Sequence, residues 1–211
     1  MSGIRLTAHG LAGIADLRQL SAEFERTHTA RLPGLIDPPV LQVLRKTLDS
    51  TPWQARDHGK IGRELKPQDR NATAALHFLV NVPDFLRLVR EITGCGAARR
   101  FAGRIYRLPP TPEYFDRWHD DVADDRMIGM SINLSPEPYE GGGFRLRDRR
   151  THEVLSEIHS IGPGDAHLFR ISSKLQHVVT AVGGAKPKTA FAGWFGPSPA
   201  DYFSTILGLR R

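Results

Sequence analysis

The chain has 211 residues, 40% apolar and 25% charged, which is the profile of an ordinary soluble globular protein with room for one sizeable domain. Its 29 Lys and Arg exceed its 23 Asp and Glu, for a formal charge of +6, but the basic residues are scattered. No nucleic-acid module or aromatic-basic repeat accompanies them, so nucleic-acid binding is not expected.

The lone Cys95 excludes an internal disulfide framework, and no apolar run reaches the roughly 18 residues of a membrane span. The N-terminus lacks a basic head followed by an unbroken apolar run, so no signal peptide is expected. The expected setting is the cytoplasm. A single domain over 1–211 is expected: a mostly helical support layer (1–96), a β-rich core (97–200) and a C-terminal tail (201–211).

In chain order, "ADLRQLSAEFERTH" puts Leu17, Leu20 and Phe24 on one helical face. "IDPPVLQVLRKTLDS" offers Asp37 as a cap, prolines in the first turn, and Val40, Leu41, Leu44 and Leu48 along a stripe. "TAALHFLVNVPDFLRLVREITGCG" holds two more helical runs, broken near Pro83 and stopped by Gly94, with Asp84 as a candidate cap for the second. After Gly96 the texture changes to short β-branched or alternating runs: "FAGRIYRL", "YFDRWH", "MIGMSINL", "GFRLRD", "HEVLSEIH", "DAHLFRI", "QHVVTAV" and "TAFAGWF". Turns such as "PPTPE", "SPEPYEGGG" and "IGPGD" separate them. About eight short strands in succession point to a sandwich or barrel with helices outside one sheet.

Within "RWHDD", strand alternation puts residues i and i+2 on one face, which pairs His119 with Asp121 and turns Asp120 away. His177, in "KLQHVVTAV", is the candidate third ligand. Two histidines and one carboxylate with open positions suit non-haem Fe(II), and zinc in a hydrolase would accept a similar set. The triad alone does not separate them. The remaining histidines read as structural, with His167 the first to reconsider because it lies ten residues before His177.

From Tyr106 to Phe195 the ordered motifs resemble the Fe(II)/2-oxoglutarate-dependent oxygenases, particularly the prolyl-hydroxylase-like branch. They comprise the Tyr106 strand, His119-Asp120-Asp121, "RMIGMSINLSPEPYEGGGFRL", "IGPGDAHLF" and "HVVTAVGGAKPKTAFAGWF". The resemblance implies a double-stranded β-helix (jelly roll), with Fe(II) on His119, Asp121 and His177. It also implies a basic residue for the far carboxylate of 2-oxoglutarate. Spacing to Trp194 favours Lys188, while the spacing from His177 is one residue longer than the family pattern, which keeps Lys186 as the alternative. By the same resemblance Tyr106 is a partner for that carboxylate, with a core aromatic as its other reading. Trp194 reads as core, and Gly141-Gly142-Gly143 as a hairpin turn.

The function implied is a dioxygenase that uses O₂ and 2-oxoglutarate, releases succinate and CO₂, and hydroxylates a peptide residue or a small molecule, with ascorbate as a possible helper reductant. A carboxylate at Asp121 argues against a halogenase. The competing readings are a zinc hydrolase or other cupin-like metalloenzyme, a nucleic-acid demethylase, and a non-catalytic ligand-binding jelly roll.

Overall fold

The computed structural model describes residues 3–13, 16–59, 61–123, 125–159 and 161–197. The expected tail, 201–211, lies outside the described residues. A hairpin of β1 (Arg5–Thr7) and β2 (Gly10–Ala12) precedes α1 (Leu17–Thr27), β3 (Thr29–Leu32) and α2 (Pro38–Ser50). A second hairpin, β4 (Trp53–Asp57) and β5 (Gly62–Pro67), leads to α3 (Asn71–Val80) and α4 (Pro83–Thr93). Then follow β6 (Arg100–Leu108), β7 (Phe115–Asp116), β8 (Ile128–Asn133), β9 (Glu140–Gly141) and β10 (Phe144–Asp148). The chain continues through β11 (Val154–Ile158), β12 (Ala166–Arg170), β13 (Leu175–Val179), β14 (Val182–Gly183) and β15 (Lys188–Gly196).

The major sheet runs β3-β12-β8-β15-β6-β5-β4, with β7 paired to β5, and the minor sheet runs β11-β10-β13. This is a jelly roll, mainly β, with four helices among the described residues. The support layer is less helical than expected: β3, β4 and β5 come from the first 96 residues and all join the major sheet.

The helices form where apolar stripes and start signals coincide. Asp16 caps α1 by accepting from the Gln19 N–H at 3.1 Å, and His28, at φ 58, ends it in the left-handed region. Asp37 holds the position before α2 but makes no side-chain cap bond; Pro38 and Pro39, which need no partner for a backbone N–H, open that helix. Asp84 is likewise no cap. Pro83 starts α4, and the Asp84 carboxylate accepts from Arg87 at 2.8 Å within the first turn.

Alternation along the strands sorts the major sheet into two faces. Phe101, Ile105, Phe191 and Phe195 are buried against the helices with Phe24, Leu76, Phe85 and Ile92. The opposite parity on β15, from Lys188 through Ala190 and Ala192 to Trp194, turns toward the minor sheet. Among the described residues no single helix is long and apolar enough to cross a membrane; α3 and α4 are core helices.

His77 sits in this helix–sheet core, edge-on to Phe191 at 5.1 Å between ring centres, and its Nε2 accepts from the Gly103 N–H at 3.0 Å. Burial, with help from the Arg100 charge, pushes it down to about 4. Its folded value is below the unfolded value of about 6.5. The unfolded chain therefore binds the extra proton between those two pH values. The contribution of neutral His77 is full above pH 6.5 and is lost as pH falls toward 4. We expect a loss of about 3 kcal/mol across that window, read by denaturant titration at each pH, and its disappearance in His77→Phe.

Candidate active site

His119 and His177 are held together by backbone. They form an isolated antiparallel bridge, with the His119 N–H donating to the His177 carbonyl at 3.1 Å and the His177 N–H donating back at 2.8 Å. Their rings stand 4.2 Å apart. His119 Nδ1 donates to the Arg117 carbonyl at 2.6 Å, which leaves Nε2 facing the cavity. Asp121 completes the group: its oxygens lie 3.6 Å from His119 Nε2 and 3.3 Å from His177 Nε2. One ligand atom from each of the three lies within 4.8 Å of the others.

Asp121 reaches this position by a different route from the one strand alternation implies. The strand ends at Asp116, and Asp121 adopts φ 54, a left-handed conformation that aspartate tolerates better than most residues. Asp120 points away, accepting from Arg149 at 2.9 Å and from the Val122 N–H at 3.2 Å. Burial works to raise the Asp121 carboxyl, yet hydrogen bonds and charge from both histidines hold it well below the usual carboxylate range. Burial works to lower His119, but Asp121 and Asp116 carry it up to about 9. A divalent cation would take the place of that proton.

Two neighbours of this group are illegible from spacing alone. Trp194 Nε1 donates to Asp121 Oδ2 at 2.8 Å, so the side chain read as core orients a candidate ligand. Its signal lies in the strand period, because Trp194 shares the parity of Lys188 on β15. Asp116 accepts from the Val179 N–H at 2.7 Å and lies 3.5 Å from His119 Nδ1. Trp194→Phe removes one N–H and keeps the ring under Arg126. Partners of this kind are worth ~10–100-fold in metal affinity. We expect about a tenfold loss in an anaerobic Fe(II) titration of this variant.

The triad opens on a cavity of about 520 Å³, within the range for small ligands. Tyr106 lines it, almost fully buried, with its phenol pushed up chiefly by burial and next by Asp116. Deeper between the sheets, Lys188 is 5% exposed and its Nζ donates to the Gly142 carbonyl at 2.6 Å. Burial brings Lys188 down to about 8, against the pull of Asp116. Lys186 is on the outside, paired with Glu137 at 2.8 Å.

Gly142 is more than a hairpin turn. It adopts φ 61, and a Cβ there would meet Lys188 Cδ at 3.1 Å and the Tyr139 ring at 2.9 Å. His167 does not join the triad. It is packed on Phe144 at 4.6 Å and borders both the main cavity and a small one beside Lys188. Neither of its ring nitrogens has a hydrogen-bond partner among the described residues. Burial, then the charges of Lys188 and His177, push it down to about 3. A buried ammonium and an unpartnered imidazole behind a two-histidine, one-carboxylate group fit Fe(II) and a dicarboxylate.

The outer wall is built by β4, β5 and β6. The Glu64 carboxylate, 6% exposed, accepts from Arg56, which faces it in register, and from Arg104 Nε at 3.0 Å, with His58 Nε2 3.1 Å away. Burial works to raise Glu64, but Arg104, Arg56 and His58 hold it low. Arg126 stacks on Trp194 at 3.8 Å and approaches Asp121 at 3.5 Å.

Residues 104–196 match the family model described as the 2OG-Fe(II) oxygenase superfamily. No curated protein matches the chain significantly in sequence. Among solved structures, a 2OG-Fe(II) oxygenase family oxidoreductase from Burkholderia pseudomallei is similar with TM-score 0.65 at 14% identity, over 94% of this chain and 97% of that one. A Pseudomonas putida prolyl-4-hydroxylase gives 0.62 at 16%, covering 87% of this chain and all of the other. A Trichoplax adhaerens prolyl hydroxylase, solved with a hypoxia inducible factor peptide fragment, gives 0.61 at 13%, covering 92% of each. At these identities the structural likeness speaks for the shared jelly roll. The family match carries the assignment further: residues 104–196, which hold the triad, Lys188 and Trp194, match the 2OG-Fe(II) oxygenase superfamily.

Proposed function

We propose that the protein hydroxylates a C–H bond of a small molecule or peptide residue, with His119, Asp121 and His177 holding Fe(II) and Lys188 and Tyr106 holding 2-oxoglutarate. The observation that carries this reading is the convergence of the triad on a cavity that shares Phe144 and His167 with a smaller one lined by buried Lys188. Fe(II) with 2-oxoglutarate would supply the oxidation of the C–H bond by O₂, with release of succinate and CO₂. The chain's own residues do the rest. The His119–His177 bridge sets ligand spacing, and Trp194 and Arg126 orient Asp121. Lys188 gives the far carboxylate a fixed cation in a site where an unpaired anion would be costly. Phe144, Phe169 and Val179 line the cavity and keep water from the reacting centre.

The test is succinate and CO₂ release from 2-oxoglutarate across a panel of peptides, amino acids and metabolites, with ascorbate present to rescue oxidised metal. We expect chelators to eliminate turnover and Fe(II), not Zn²⁺, to restore it. Full activity with zinc and no oxygen consumption would instead indicate a hydrolase.

A further inference from the structure

The wall of the cavity facing the triad has a charge pattern that the oxidation chemistry does not require. Arg56, Arg104 and Arg126 all line it, and beyond Asp116 and Asp121 at the triad, Glu64 is the one carboxylate lining the cavity among the described residues. Glu64 is shared by Arg56, Arg104 and His58, so one negative charge serves two guanidiniums and an imidazole. Arg126 has Asp121 as its carboxylate partner among the described residues. Asp121 is also the candidate metal ligand, and a bound divalent cation would draw its charge away from Arg126. Arg104 and Arg126 both lie against the Trp194 ring, at 5.7 and 3.8 Å, whose N–H is already committed to Asp121. With the metal in place, this wall carries more guanidinium than carboxylate, in a half-buried setting where unbalanced cations are unfavourable.

We infer that the primary substrate is a small molecule bearing an anionic oxygen group, carboxylate or phosphate, which docks on Arg126 and the Arg56–Arg104 pair. This rests on the oxygenase reading above. The planar guanidinium forks suit a two-oxygen anion. The size of the cavity favours a small molecule beside 2-oxoglutarate. Docking at Trp194 would put the anion beside the triad, leaving the rest of the molecule over the metal site. The hairpin β4–β5, which brings Arg56, His58 and Glu64, thereby becomes a specificity element.

The experiment uses the full chain loaded with Zn(II) and 2-oxoglutarate, and ligand-observed NMR of benzoate and phenyl phosphate against benzamide and benzyl alcohol. We expect one or both anions to bind at least about 10-fold more tightly than their neutral counterparts, the scale of one charge-assisted contact. The two anion arms tell carboxylate from phosphate. Arg56→Gln and Arg126→Gln should each bring the anion-to-neutral ratio close to one. Equal binding of charged and neutral probes, no binding of either anion, or a preference that survives both substitutions would overturn the inference. The absorbance of the Fe(II)–2-oxoglutarate chelate, recorded anaerobically on the wild type, reports on the parent reading separately. If that band is absent, the oxygenase reading and the inference fall together. If it is present without anion preference, only the inference falls.

Discussion

Asp121→Ala is expected to abolish stable Fe(II) binding, while Asp120→Ala leaves it largely intact. The two neighbours differ in what their carboxylates touch. Asp121 lies between His119 and His177, whereas Asp120 is engaged by Arg149 on the outside. Losing Asp121 removes both a candidate ligand and the negative charge that balances the cation. The effect should therefore exceed the ~10–100-fold cost of losing an outer partner of a ligand. His119→Ala and His177→Ala should behave like Asp121→Ala. Anaerobic Fe(II) titration of the four variants decides the matter, and a greater loss from Asp120→Ala than from Asp121→Ala would overturn the ligand assignment.

The second large effect is expected at Lys188. Its ammonium is buried between the sheets, and the carbonyl of Gly142 is its hydrogen-bond acceptor. A charge-assisted hydrogen bond is worth about 1.5–3 kcal/mol, so Lys188→Ala should weaken 2-oxoglutarate binding on the order of 10- to 100-fold or more. Lys188→Met separates charge from packing, since it fills most of the same space without the cation, and should lose about as much. Lys186→Ala should bind nearly as wild type, because that lysine pairs with exposed Glu137 and such surface pairs contribute little. The readout is the absorbance of the Fe(II)–2-oxoglutarate chelate under anaerobic conditions. Wild-type affinity in both Lys188 variants with loss in Lys186→Ala would move the anchor to Lys186.

The four helices and most strands after Gly96 were legible because each carries an apolar period matching its geometry; β9 lies in "SPEPYEGGG", read as a turn, and "QHVVTAV", read as one strand, divides into β13 and the start of β14. Even there, "YFDRWH" is extended only over Phe115–Asp116. The hairpin β4–β5 was not legible. Its cavity-facing residues, Arg56 and Glu64, face one another as an ion pair, so no apolar alternation marks the strands. His119, Asp121 and His177 follow from residue type, spacing and family resemblance, but strand alternation accounts for His-x-Asp only in part. A left-handed residue after a bridge, rather than a continuous strand, brings Asp121 round. The roles of Trp194 and Arg126 stayed hidden because a hydrogen bond from an indole and a stacked guanidinium leave no trace in hydropathy.

The His119–His177 bridge also determines when the binding energy of a metal is felt. β7 belongs to the major sheet through β5 and β13 to the minor sheet, so the bridge, with the Asp116 carboxylate accepting from the Val179 N–H beside it, closes the mouth of the jelly roll. The spacing of the two imidazoles is thus settled during folding. Small metallodomains that assemble only around their ion spend much of the affinity on ordering the chain. Here little of that cost falls at the moment of capture, and the metal's differential affinity for the native state adds to stability by mass action. A bound metal would act as a clasp on a mouth that is already shut.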